Sequence, residues 1–212
     1  MPEFDSLIFD LDGTLWDTTP SCVVAWNNCI DKLGIPYRRI VDEDLRRVTG
    51  KAHDDCIRLT FADLEESQVA ALIKLTEVED TAVIDKLGGT LYPGVAEGLK
   101  ELSNRYRLFI VSNCQSGYIE TFLNFAGFHI LFEDYECFGN TRQTKGHNLR
   151  QIIDRNGLNN PVMIGDASGD EVAARECGIP YFFVDYGFGE ATAPDESFSS
   201  FSQLADHLLK LK

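Results

Sequence analysis

The chain is predicted to be an α/β protein: a Rossmann-like doubly wound parallel sheet core with an inserted all-helical cap domain. Three observations carry this. Four short apolar runs end in small or polar residues, LIFDLD at 7–12, LFIVSN at 108–113, VMIGD at 162–166 and YFFVD at 181–185. Runs of this length suit strands of a parallel sheet covered on both faces. Helical patterns fill the gaps between the later runs, and strands alternating with helices predict a doubly wound sheet. About 95 residues separate the first run from the second, far more than one crossover needs.

Taken in order, the first run is a strand that closes on Asp10 and Asp12. Thr19 as N-cap, with Pro20 at the first helical position, predicts a helix carrying Val23, Trp26, Ile30 and Leu33 along one face. Further helices are expected over 42–48, 53–62, 65–75 and 77–87, before Gly88-Gly89 returns the chain to the sheet. Residues 16–87 are therefore read as the helical cap, and residues 1–15 and 88–212 as the core. Pro93-Gly94-Val95 opens a helix reaching about Asn104, with Val95, Leu99 and Leu102 on one side. Another helix fits 116–126, and Leu149, Ile152 and Ile153 mark one over 146–156. Residues 187–199 read as a loop, and FSQLADHLLKLK closes the chain as an amphipathic helix.

Composition bounds the function. Against 34 acidic residues stand 19 basic ones, a formal net charge of −15. Nucleic acid and anionic membrane both need a basic footprint, so neither is expected as a partner. A small anionic substrate stays possible, because a metal ion and one or two placed cations reverse the field of a cleft. No apolar run approaches the ~20 residues that cross a bilayer, and MPEFDSLIFDL is acidic where a signal peptide is basic. A cytoplasmic protein is expected, with a monomer favoured. The six cysteines are scattered without a C-x-x-C pair, as reduced thiols would be. Cys114 has no histidine nearby in sequence and reads as core filler.

In an open parallel sheet, ligands gather outside the carboxyl ends of the strands. The predicted strands deliver Asp10 and Asp12, then Ser112 and Asn113, then Asp166 with Asp170 on the next helical turn, while Lys145 starts a helix upstream of the third. Each piece has an ordinary reading. Asp12-Gly13 is a turn signal, Ser168-Gly169-Asp170-Glu171 fits a capping box, and Lys145 could be a solvated lysine. Their common placement on one rim is what chance explains poorly. Crowded carboxylates repel unless a cation sits among them, and Mg²⁺ takes one or two carboxylates together with a substrate phosphate. An aspartate nucleophile splits phosphate-ester hydrolysis into two displacements, and a second aspartate can move the proton.

Asp10-Leu11-Asp12-Gly13-Thr14, a strand ending in Ser112, Lys145, and Gly165-Asp166 with Asp170 resemble the four ordered motifs of the haloacid dehalogenase-like hydrolases. The helical insert and the Leu91-Tyr92-Pro93-Gly94-Val95 segment are similar to the branch holding phosphoglycolate phosphatase and β-phosphoglucomutase. The resemblance implies Mg²⁺ held by Asp10, the Asp12 backbone carbonyl and Asp166, with Asp170 positioning a metal-bound water. It implies Asp10 as nucleophile and Asp12 as general acid/base, with Ser112, Asn113 and Lys145 gripping phosphate. Two departures stand out. Gly146 follows the lysine where proline is common, and Lys51 is another cation able to reach the site. Bulky Trp16 at the hinge is expected to narrow the pocket.

The expected activity is Mg²⁺-dependent hydrolysis of a small phosphorylated metabolite through an aspartyl-phosphate, with Lys51 and His53 of the cap as candidate substrate contacts. A phosphomutase of the β-phosphoglucomutase type is the alternative. A haloacid dehalogenase is disfavoured by Asp12, since that chemistry needs no acid for an oxygen leaving group. A non-catalytic phosphate-binding protein would have no use for Asp12.

Overall fold

The computed structural model describes residues 4–211, so the first three residues of the acidic lead-in and the final lysine lie outside it. Strand β1 (Ser6–Phe9) leads into a two-residue strand, β2 (Trp16–Asp17), and then into four helices, α1 (Thr19–Leu33), α2 (Asp42–Arg46), α3 (His53–Thr60) and α4 (Glu66–Leu87). Strand β3 (Thr90–Leu91) returns antiparallel to β2, pairing Trp16 with Leu91 and Asp17 with Thr90. Helices and strands then alternate: α5 (Val95–Leu102), β4 (Arg107–Ser112), α6 (Tyr118–Ala126), β5 (Phe132–Cys137), α7 (Phe138–Thr141), α8 (Lys145–Asn156), β6 (Pro161–Gly165), α9 (Ser168–Cys177), β7 (Tyr181–Val184), β8 (Glu196–Phe198) and α10 (Phe201–Lys210).

The main sheet is parallel throughout, in the order β5-β4-β1-β6-β7-β8. Alternation along β1 explains why both faces need helices. Leu7 and Phe9 join one apolar cluster with Leu99 of α5, Phe122 of α6 and Leu204 of α10. Ile8 joins the opposite cluster with Leu149 and Ile152 of α8 and Ala174 of α9. Each such side chain, fully buried, contributes about 1.5–3 kcal/mol. The chain leaves β1 toward β4 and leaves β6 toward β7, in opposite directions. That makes the crevice between the carboxyl ends of β1 and β6 the switch point where ligands bind in open α/β sheets.

The inserted helices enclose an apolar cluster of their own, built on Trp26, Ile30, Phe61 and Leu72. The buried stripe of α1 is Ala25, Trp26, Cys29 and Ile30, while Leu33 is exposed. The expected face is thus rotated toward α4, against which α1 packs. The expected helices 65–75 and 77–87 are one helix. Thr76, at the expected break, is fully buried, and its hydroxyl donates to the Leu72 carbonyl, a back-bond that lets a threonine sit inside a helix.

Two strands of the main sheet, and the short β2–β3 pair, were not anticipated. The acid-rich β5 lies at the sheet edge, where Arg155 pairs with Asp134 and Glu136 and Arg107 pairs with Glu133. Three residues of the expected loop 187–199 form β8 at the other edge. All six cysteines are free.

Candidate active site

Asp10 follows β1 directly, its backbone N–H donating to the Ile164 carbonyl of β6 at 2.8 Å, so the switch point itself aims this side chain. Lys145 opens α8, whose start is capped by the Thr144 hydroxyl. The Lys145 ammonium lies 2.5 Å from Asp10 Oδ1 and also donates to Asp170 Oδ1. Asp170, in the first turn of α9, turns its second oxygen back to the Ala167 N–H at 3.1 Å, so it does part of a capping box's work as well. Asp166 Oδ2 accepts from the Phe188 and Gly189 backbone N–H groups at 2.7 and 3.3 Å. Its Oδ1 is buried with no hydrogen-bond partner among the described residues.

Carboxylate oxygens of Asp10, Asp166 and Asp170 lie within 4.8 Å of one another, and all three residues are buried. One ammonium faces three carboxylates, which leaves excess negative charge. Burial pushes the Asp10 carboxyl well up, and Asp170 and Asp166 add to this against the pull of Lys145. Burial and Asp170 raise Asp166 to about 7. Burial works against the Lys145 ammonium too, but Asp10 and Asp170 outweigh it and hold its pKa above lysine's ordinary value. A buried excess of carboxylate oxygen, one atom of it unpartnered, is the donor set of a hard divalent cation.

Glycine makes room for the cluster. Gly13 has a φ of 88°, and a Cβ there would collide with the Asp166 carboxylate. Gly146, the departure beside Lys145, has Glu176 pressed against the space a side chain would fill. Lys145 reaches the acids without the proline.

Asp12 stands apart from the three acids. Its Oδ1 accepts from the Tyr118 hydroxyl at 2.7 Å and the Thr18 hydroxyl at 3.2 Å. Thr18 occupies the cap position of α1 without capping it; Asp17 accepts the Thr19 N–H at 2.8 Å instead, which frees the Thr18 hydroxyl for Asp12. Burial raises Asp12 to about 6, with Tyr118 and Thr18 pulling the other way.

A cavity of about 80 Å³ joins Asp10, Asp12 and Ser112 to cap residues Lys51, His53 and Asp80. Ser112 is buried on it, its oxygen accepting from the Cys114 N–H. The Asn113 side chain lines it while donating to the Gly50 carbonyl of the cap at 2.9 Å, and the Asn113 carbonyl accepts from the His53 N–H. Lys51 lines the cavity from an exposed position and is absent from the ion pair that holds Asp10, which falls to Lys145. His53 is buried, its Nε2 3.1 Å from the Thr76 hydroxyl. Trp16 does not narrow the pocket: it is fully buried against Tyr118 and Phe122, outside the lining. Burial also lifts the Cys114 thiol well above its ordinary pKa, which suits core filler.

Sequence reasoning missed Thr18, Tyr118 and the Phe188–Gly189 backbone, which position Asp12 and Asp166. Nothing local marks them, since each acts across more than one element. It also missed Asp80, for which a signal existed: Leu72, Thr76, Asp80 and Ile84 fall at four-residue spacing and put an acid on an apolar stripe.

A Rossmann-like sheet that gathers crowded acids at its switch point, beneath a helical lid, defines a capped hydrolase. Residues 7–184 match the family model described as haloacid dehalogenase-like hydrolase, and the chain belongs to that family. It is 30% identical to a phosphoglycolate phosphatase of Psychrobacter arcticus, over 96% of this chain and 95% of that protein. A phosphoglycolate phosphatase of Synechococcus elongatus is also 30% identical, over 90% of each chain. A haloacid dehalogenase-like family hydrolase from Streptococcus pneumoniae shares the fold at a TM-score of 0.83 and 23% identity, covering 97% of this chain and 98% of that one. The chain is a phosphatase acting on a small phosphorylated substrate. Among the described residues no helix is long and apolar enough to cross a membrane.

Proposed function

We propose that the chain hydrolyses a small phosphate monoester through a phosphorylated Asp10, dependent on Mg²⁺. The observation that carries this reading is the separation of two acids only two residues apart. Asp10 sits among carboxylates and the Lys145 ammonium, while Asp12 sits among hydroxyls at the cavity. Neighbouring acids in environments this different are suited to different roles.

Asp10 attacks phosphorus as the bond to the leaving oxygen breaks. Asp12, raised to about 6 and so able to hold a proton near neutrality, gives that proton to the leaving oxygen. Water then attacks the same phosphorus and passes its proton to the Asp12 carboxylate, and the Asp10–phosphorus bond breaks. Ser112 and Lys145 hold the non-bridging oxygens, with Asn113 closing the cap loop over them. Asp10, Asp166 and the Asp12 backbone carbonyl would hold Mg²⁺, and Asp170 would orient a water. When bound, the metal neutralises the carboxylates and polarises the phosphoryl group. Residues 16–87 exclude bulk water and read the leaving group.

Turnover of p-nitrophenyl phosphate with Mg²⁺, and its loss in EDTA, tests the scheme. Asp10→Asn is expected to lower turnover by about 10⁴-fold with an unchanged circular-dichroism spectrum. A variant retaining a near-normal rate rules out Asp10 as nucleophile.

A further inference from the structure

The cavity has an acid at its cap end that the proposed chemistry does not use. Asp80 of α4 is 3% exposed and lines the same space as Asp10 and Asp12. Its Oδ2 is served by neutral donors at long range, the Trp26 indole N–H at 3.3 Å and the Gln115 amide at 3.4 Å, with His53 Nε2 3.7 Å away. Its Oδ1 has no hydrogen-bond partner among the described residues. His53 Nε2 is shared, lying 3.1 Å from the Thr76 hydroxyl as well. Burial raises the Asp80 carboxyl, offset in part by His53. Asp80 shares this cavity with Asp12 and with Cys22 on its wall.

We infer that Asp80 reads the leaving group, and that the substrate is a short phosphate monoester bearing a hydrogen-bond donor, hydroxyl or ammonium, where phosphoglycolate bears a carboxylate. This rests on the phosphatase reading above. A donor satisfies the lone Oδ1; a carboxylate leaves it unpaired and adds a like charge in a desolvated space. Lys51, exposed, is the one lysine or arginine among the lining residues, and the buried imidazole there, His53, already stands between Asp54 and Asp80.

The test compares kcat/KM of the Mg²⁺-loaded protein on four esters: glycerol 3-phosphate (hydroxyl donor), O-phosphoethanolamine (ammonium donor), phosphoglycolate (carboxylate) and p-nitrophenyl phosphate (none of these). At least one donor-bearing ester is expected to exceed phosphoglycolate by about tenfold or more, because a site built around a donor rejects analogues lacking it. Which of the two leads distinguishes hydroxyl from ammonium. In Asp80→Asn that preference is expected to shrink at least about fivefold as phosphoglycolate turnover rises, the charge having gone. Phosphoglycolate turned over as well as the donor esters by the unaltered protein overturns the inference, and so does a preference that survives Asp80→Asn. Should that variant not fold, the unaltered protein's preference decides alone. No turnover of any ester, p-nitrophenyl phosphate included, sinks the phosphatase reading itself.

Discussion

The core has a buried cluster of acids that reaches the cavity through Asp10, the cap has a single buried acid on it, Asp80, and the two are held in different ways. In the core, Asp10, Asp166 and Asp170 are pinned by an ammonium and by backbone N–H groups at the starts of loops and helices. In the cap, Asp80 is held by one indole and one amide at the limit of hydrogen-bond distance. The core cluster has too much negative charge for its single cation, a deficit that the proposed metal ion would meet. Asp80 has one acceptor atom without a partner, a deficit that the inferred substrate donor would meet. Rigid over-determination suits the reacting atoms, where small displacements cost much rate; looser satisfaction suits recognition by an element that must move.

The sharpest way to break the contrast is Lys145→Met. Removing the one ammonium leaves three buried carboxylates uncompensated, so stability is expected to fall by about 3–5 kcal/mol in metal-free buffer, read by urea denaturation. A loss near zero would mean that the core acids are no more constrained than Asp80.

Next is Asp12→Asn, expected to lower the rate by about 10²–10⁴-fold on alkyl phosphates and much less on p-nitrophenyl phosphate, whose leaving oxygen needs little protonation. An equal loss on both esters would remove Asp12 from the proton's path. The same variant carries a pH signature. The folded-state pKa of about 6 lies above the ordinary 3.8, so between these values the folded chain keeps a proton that the unfolded chain has released. Stability of the metal-free protein therefore falls as pH rises through that window, and Asp12→Asn should remove this part of the slope.

Third, Mg²⁺ without substrate is expected to raise the melting temperature, by the equivalent of about 2.7 kcal/mol at a hundred times its dissociation constant. Asp166→Asn should abolish the shift, whereas Asp80→Asn should not. A shift lost in both would make Asp80 part of the same ion site.

The smallest effect concerns closure. Arg142 of the core bridges Asp54 of α3 and Glu77 of α4, at 3.1 and 2.5 Å, and all three side chains are partly exposed. Arg142→Ala is expected to cost at most about 1 kcal/mol, seen as a modest rise in KM for a cap-contacting ester with kcat nearly unchanged. A large fall in kcat would show that this pair does more than hold the cap down.

The strands bearing Asp10, Ser112 and Asp166 were legible because a central parallel strand must be apolar on both faces, and a carboxylate closing such a run is conspicuous. Strand β5 was not, because an edge strand can carry Glu133, Asp134 and Glu136 and pair them with arginines of other elements. The break expected in α4 is absent, and Thr76, which falls there, is buried with its hydroxyl bonded back to the Leu72 carbonyl.

The order of the strands, the residue types at their ends and the length of the insert are properties of the chain read along itself. They settled the α/β core, the helical cap and the rim on which the acids stand, because hydrophobic periodicity and chain connectivity are both one-dimensional. Tertiary structure alone decided that Tyr118 and Thr18 orient Asp12, that two loop N–H groups hold one oxygen of Asp166 while the other stays bare, and that Asp80 looks into the same cavity. Those facts depend on angles and distances between elements far apart in sequence, and no local pattern encodes which unpaired atom ends up facing which.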